Sequence, residues 1–415
     1  MSVYRKWILN LLLVVAGTVL GIGLIEAALR YVDWRGGLDV NSLTRTEVVD
    51  LPALNYNSEP VSRHKILPNQ FRALSFGDSY AYTIVQHAFT YHSIAAKAAS
   101  SQTGKPVEVV NLGEPAISFY QYMKAYRVFG PAIDHDAVIF NVYLGNDLLD
   151  VAYGFVPDDV KINRVFGSLK IDLQTGETRR VGIPKKFPLR VMDYGFAFYL
   201  ARTGKIQPVA KRERMPPYNF AVAELKEDAW LDNLNTQLDN FDREKLPALR
   251  DGYVAAVQFA RFVRDIAASG KRVLIVLSPN QEQVDADVLD KVLRKFGRNA
   301  NKFDLDLSAQ LLSKVFRDVA PDASVVYLRP ALSCAAREGV HCYYKTDTHW
   351  SAEGNRLVGE LLGAWISEHW LSARLPGQPD CLRRYQLGTD ADAEGIYLSS
   401  IKSLLSSAPN EGRIK

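Results

Sequence analysis

Residues 137–147 read AVIFNVYLGND, an apolar run from Ala137 to Leu144 broken only by Asn141 and closed by Gly145-Asn146-Asp147. A continuous apolar run of this kind suits a strand buried on both faces of a sheet. The Gly-Asn pair after it is a turn signal, because asparagine tolerates left-handed backbone. Similar short runs occur at Ala73–Phe76, Val107–Leu112, Arg272–Leu277 and Ser324–Leu328. Helical patterns fill the intervals, at about 90–102, 119–129, 247–268, 308–319 and 351–370. Strands alternating with helices predict an α/β sandwich with a mostly parallel sheet.

The chain has 415 residues, 47% of them hydrophobic and 23% charged. Those values are ordinary for globular proteins and exclude a disordered, collagen-like or disulfide-dense chain. A net charge of +4 is too mild to suggest nucleic acid as a partner. Three cysteines cannot build a disulfide framework or a paired CxxC zinc site. No ligand-spaced cluster is present, so neither metal nor cofactor is expected. No internal repeat is visible.

The start of the chain departs from this average. Ile8 to Ile25 carries no charge and is interrupted only by Asn10, Thr18 and three glycines. As a helix it would extend about 27 Å, enough to span a bilayer with little tilt. Arg5 and Lys6 precede it, and Glu26 and Arg30 follow. A cleaved signal peptide is the alternative, but Glu26-Ala27-Ala28 is a poor cleavage site. The expected layout is a cytoplasmic head at 1–7, a membrane anchor at 8–28, a linker at 29–68, a catalytic-type domain at 69–370 and a tail at 371–415. The short basic head places the body outside the cytoplasm. Within the domain, 150–246 separates the third and fourth strands and is read as an insertion. Ser168–Val181 reads as a hairpin turning at Thr175-Gly176. Arg202–Arg214 holds five basic residues, either a solvated loop or a contact for anionic polysaccharide or lipid headgroups.

In a sheet of this type, sites form at the carboxyl ends of strands. Those ends carry, in order, Gly77-Asp78-Ser79, Asn111-Leu112-Gly113, Gly145-Asn146-Asp147 and Asp347-Thr348-His349-Trp350. Ser79 presents a hydroxyl just past a strand; such a hydroxyl becomes nucleophilic when a base takes its proton. Of seven histidines, His64, His87, His92, His135, His341 and His369 lack this setting, while His349 follows a candidate strand and has Asp347 two residues before it. Asp347 could orient the imidazole and stabilise its charged form. The Ser79 and Gly113 backbone N–H groups and the Asn146 amide are suitable oxyanion donors. Each motif alone is also a common turn, cap or metal pair; their order along four strand ends gives them weight.

Ser79, Gly113, Asn146 and His349 in that order resemble the four blocks of the SGNH (GDSL-type) hydrolase superfamily. The resemblance spans roughly residues 70–370 without the insertion. It implies a flavodoxin-like α/β/α sandwich and serine-based ester or acyl-transfer chemistry. Ser79 is then the nucleophile, His349 the base, Asp347 its partner, and Ser79, Gly113 and Asn146 the oxyanion hole. Two features depart from the common pattern. Aspartate stands two residues before histidine rather than three, and block II has Ala116 where a second glycine is usual. The context CYYKTDTHWS from Cys342 to Ser351 resembles the branch acting in bacterial exopolysaccharide O-acetylation, including the alginate acetylation proteins. That branch tends to be anchored in the inner membrane and to face the periplasm. A disulfide between Cys334 and Cys342 would brace the loop carrying Asp347 and His349; the alternative is two small buried residues, and Cys381 is left unpaired.

Three functions follow from this reading. The first expectation is an esterase releasing a short acyl group from carbohydrate through an acyl-serine, with two alternatives. A second is an O-acetyltransferase for an exopolysaccharide or cell-envelope glycan, working with a membrane-bound acyltransferase as donor. A third is a non-catalytic carbohydrate-binding scaffold.

Overall fold

The computed structural model describes residues 3–34, 66–152 except 86, 116 and 132, the short pieces 168–171, 178–181, 188–189 and 191–192, and 225–373. These fall into two compact units, one of Met1–Val49 with Asp159–Lys211, the other of Asp50–Asp158 with Arg212–Lys415. The turn at Thr175-Gly176, the basic cluster 202–214, Cys381 and most of the linker and tail lie outside the described residues.

In the second unit, five strands form one parallel sheet. They are β1 (Phe71–Gly77), β2 (Val107–Asn111), β3 (Ala137–Tyr143), β6 (Arg272–Ser278) and β7 (Ser324–Tyr327). Their spatial order is β2-β1-β3-β6-β7. Register pairs Ser75 with Asn111, Gly77 with Asn141 and Tyr143 with Ser278, so the carboxyl ends are nearly level. Counted within the sheet this is the order 2-1-3-4-5 of the flavodoxin-like fold. The expected α/β sandwich is therefore present. Its topological switch point lies between β1 and β3, where such folds place ligands.

Side-chain alternation along the strands sends residues to two buried faces. Ala73, Ile139, Leu274 and Val326 join a core with the helices Tyr91–Thr103, Arg329–Arg337 and Ala352–Trp365. On the other face Phe76 stacks on Phe140 at 5.5 Å. Phe140 meets Phe259 edge-on at 4.9 Å, and Phe259 also meets Phe119 and Phe316. Those rings belong to the helices Phe119–Phe129, Arg250–Ala268 and Leu307–Val319.

The stretch expected as an insertion divides. Residues 225–246 pack in this unit: Trp230, Leu231, Leu234, Leu238 and Phe241 share a core with Val288, Val292 and Leu293. The strands β4 (Ser168–Ile171) and β5 (Thr178–Val181) belong to the first unit and pair antiparallel, as the hairpin reading expects. The first unit also holds the helix Val3–Trp34, whose window Leu13–Tyr31 is long and apolar enough to cross a membrane. Anchor and signal sequence both satisfy that description.

Candidate active site

Strand β1 delivers Ser79 to the switch point. The chain turns at Gly77, where a Cβ would lie 2.7 Å from the Asn141 carbonyl oxygen. Asp78 then caps a four-residue helix, Ser79–Tyr82, by accepting the Tyr80 N–H at 2.9 Å. The helix ends at Thr83, whose backbone sits in the left-handed region at φ +61°. A β-branched residue adopts that conformation only under constraint. Ser79 itself is half-buried, while Asp78, Tyr80 and Tyr82 are buried.

The base loop is a tight reversal between Tyr343 and Trp350, which form an isolated antiparallel bridge. Tyr344 N–H donates to the His349 carbonyl at 3.2 Å. Within the loop, His349 N–H donates to Asp347 Oδ1 at 2.8 Å, and the His349 ring Nδ1 hydrogen-bonds the same oxygen. The two-residue spacing thus lets one carboxylate oxygen hold both the backbone and the ring of His349. Burial alone would raise the Asp347 carboxyl, but the hydrogen bonds and charge of His349 outweigh it and bring it below the usual range.

Tyr80 joins the two loops. Its hydroxyl donates to the Thr348 carbonyl, one residue before His349. Its ring stacks on Tyr143 at 4.0 Å, meets Trp350 edge-on at 4.9 Å and lies 5.4 Å from the His349 ring. The residue after the candidate nucleophile is thereby bonded to the residue before the candidate base.

The two remaining motifs behave differently from each other. Gly113 N–H donates to Asn111 Oδ1 at 3.0 Å, and Asn111 Nδ2 donates to the Tyr82 carbonyl at 3.4 Å. A Cβ on Gly113 would fall 2.3 Å from the Tyr82 nitrogen. Glycine here lets block II pack under the Ser79–Tyr82 helix, and its N–H is already engaged by Asn111. In this arrangement the Gly113 N–H expected for the oxyanion hole points to Asn111 Oδ1, and Ala116 lies outside the described residues. Asn146 Nδ2 donates to Asp150 Oδ2 at 2.9 Å. Among the described residues, this bond engages one of its two amide hydrogens. Next to it, Asp147 is buried and anchors the loop, accepting the Tyr122 hydroxyl at 2.8 and 2.9 Å and the Tyr143 N–H at 2.9 Å.

Sequence reading missed Asp78, Tyr80, Asn111 and Asp150 as partners of the site. Burial raises the Asp78 carboxyl to about 7, although the nearby His349 charge pulls it down. Burial likewise raises Asp150 to about 6 and Glu114 to about 7. The only signal in the sequence was the position of Asp78, Tyr80 and Asn111 inside or beside the motifs.

The expected Cys334–Cys342 bridge does not form. Cys342 is a free, buried thiol whose Sγ faces the carbonyls of Leu332 and Val340 at 3.9 and 3.7 Å. It packs among the apolar side chains under the base loop. Cys334 is disulfide-bonded, but not to Cys342. Among the described residues, no group of three His, Cys, Asp or Glu side chains is placed to hold a metal ion.

Residues 244–391 match the family described as an SGNH hydrolase-like domain, acetyltransferase AlgX. The match includes β6, β7 and the Asp347–His349 loop but not Ser79, Gly113 or Asn146. No curated protein matches the chain. Among solved structures, the chain is similar to a lipolytic protein of the G-D-S-L family from Desulfitobacterium hafniense DCB-2, at 10% identity and TM-score 0.31, covering 72% of this chain and 98% of that one. It is also similar to the lipase Lip_vut3 from a goat rumen metagenome, at 9% identity and TM-score 0.31, covering 72% and 97%. A third is LAE5, an α/β hydrolase enzyme from the metagenome of Lake Arreo, Spain, at 10% identity and TM-score 0.32, covering 72% and 94%. Over residues 244–391, about a third of its length, the chain is thus similar to the SGNH hydrolase-like domain of the AlgX acetyltransferase family.

Proposed function

We propose that the chain transfers an acetyl group through Ser79 onto a hydroxyl of an extracytoplasmic glycan. The observation that carries this reading is the Asp347–His349 pair, hydrogen-bonded and tied through Tyr80 to the Ser79 turn. Ser79 Oγ attacks the acyl carbonyl of the donor while the His349 imidazole takes its proton. Asp347 holds the ring and offsets its positive charge. The Ser79 N–H and the Asn146 amide stabilise the oxyanion. The intermediate collapses to acyl-Ser79, and the leaving alcohol takes the proton from His349. In the second half, His349 deprotonates the acceptor hydroxyl, which attacks the acyl-serine and regenerates the enzyme.

The family match over the base loop favours an acceptor hydroxyl over water, since that family is described as an acetyltransferase; the glycan follows from the resemblance of the Cys342–Ser351 context. The apolar N-terminal helix supports a place at the membrane. The test uses the full chain in detergent with p-nitrophenyl acetate, with and without an oligosaccharide acceptor. Acetylated oligosaccharide formed at the expense of free acetate, and abolished by Ser79→Ala, is the expected result. Free acetate alone, unaffected by any acceptor, would assign the same residues to an esterase.

A further inference from the structure

In the first unit, one charged side chain of the apolar helix is satisfied by a segment far along the chain. Glu26 is 8% exposed, although its neighbours Leu24 and Ile25 are 64% and 51% exposed. Its carboxylate accepts from Arg30 Nε at 2.7 Å and from the Val191 backbone N–H at 3.0 Å. A carboxylate within a span is costly unless partnered, and here both partners are provided. Glu26 lies five residues before Tyr31, the end of the apolar window. That is about 7.5 Å along the helix axis, the depth of the boundary between headgroups and acyl chains.

The segment that reaches Glu26 shows apolar side chains to its surroundings. Leu189 is exposed by 39% and Met192 by 47%, on either side of the half-buried Val191. The sequence continues with YGFAFYLA at Tyr194–Ala201, and Arg202, Lys205, Lys211, Arg212 and Arg214 come next. Aromatic residues followed by basic ones match the composition of membrane interfaces facing anionic lipid.

We propose that the segment around Leu189–Met192 is a second membrane contact, seated at the bilayer's headgroup boundary beside the exit end of the anchor helix. Glu26 clamps it there through the Val191 N–H. The partner is a phospholipid surface carrying anionic headgroups. The proposal rests on the anchor reading of the Val3–Trp34 helix and not on the catalytic reading of Ser79.

The test labels single cysteines introduced by Leu189→Cys, Met192→Cys, Leu20→Cys and Ser269→Cys in the full chain with an environment-sensitive fluorophore. The chain is reconstituted in phosphatidylcholine–phosphatidylglycerol vesicles containing nitroxide lipids. Leu20 is exposed on the helix and serves as the in-membrane reference; Ser269 is exposed on the sheet-bearing unit. Labels at 189 and 192 are expected to be quenched at least about threefold more than at 269, as for a segment at the acyl boundary. Adding Glu26→Ala is expected to reduce quenching at 192 while leaving the Leu20→Cys label unchanged. Quenching at 189 and 192 no greater than at 269, with 20 strongly quenched, overturns the proposal. Labels shielded from water-soluble quencher yet untouched by nitroxide lipid would place protein rather than lipid on them, and also overturn it. An unquenched label at 20 would bring down the anchor reading and this proposal together.

Discussion

Gly113 is a glycine for reasons of space. A methyl group there would press on the Ala81–Tyr82 backbone at 2.3–2.5 Å, and backbone held inside a short helix cannot yield. Gly113→Ala is therefore expected to destabilise the sheet-bearing unit by about 3 kcal/mol. Urea unfolding followed by circular dichroism would measure it, and loss of acyl transfer should accompany the change. Asp78 makes a separate prediction. The folded chain holds its proton up to about pH 7, whereas the ordinary value is 3.8. Its contribution to stability is then fully present below about pH 4 and is lost as pH rises through about 7. Asp78→Asn keeps an oxygen for the Tyr80 N–H and removes the charge. At pH 8 it should be more stable than the native chain by on the order of 2 kcal/mol, and at pH 4 the two should differ little. Equal stability differences at both values would contradict the assigned proton. Cys342 adds a third test at this scale. Burial pushes its thiol up to about 12, so it should resist iodoacetamide in the folded chain and react only on unfolding.

Among the secondary elements, the Ser79–Tyr82 helix and the Asp347–His349 loop act as a pair because Tyr80 spans them. Tyr80→Phe removes the hydroxyl that meets the Thr348 carbonyl and keeps the ring stacked on Tyr143. The expected outcome is a fall in kcat of roughly 10-fold or more with KM little changed, since misplacing a base costs rate rather than binding. Tyr327→Phe is the matched control. It too removes a buried phenol, bonded to Asp306 at 2.8 Å on the far edge of the sheet. It should cost about 1 kcal/mol of stability and leave kcat unchanged. The elements that sequence made legible are those with strong periodic signals. The five parallel strands differ from their expected bounds by a residue or two, because runs such as Ala137–Tyr143 are apolar but for Asn141 and lead into a Gly-Asn turn. The helix Glu227–Gln237 was not separated from the insertion, since its apolar residues Trp230, Leu231 and Leu234 face a core whose other half is some sixty residues later. The cysteine pairing failed for a related reason. Sequence proximity of Cys334 and Cys342 carried no information about where each side chain points.

At the scale of the whole molecule, four motifs scattered over 271 residues, from Ser79 to His349, are drawn to one end of one sheet. That convergence was readable because parallel strands all present their carboxyl ends on the same side. What was not readable is how the motifs are bonded to one another. The Asn111 bridge, the Tyr80 tie and the raised carboxyls of Asp78 and Asp150 depend on burial and on contacts between residues distant in sequence. The central claim is that Ser79 is a nucleophile served by His349. It is tested most directly by exposing the full chain to an activated acetyl ester, quenching with acid and mapping peptides by mass spectrometry. An acetyl adduct confined to the Ser79 peptide, formed by the native chain and lost in His349→Ala and Ser79→Ala, is the predicted result. Absence of any adduct on that peptide, or an adduct formed equally fast without His349, would contradict it.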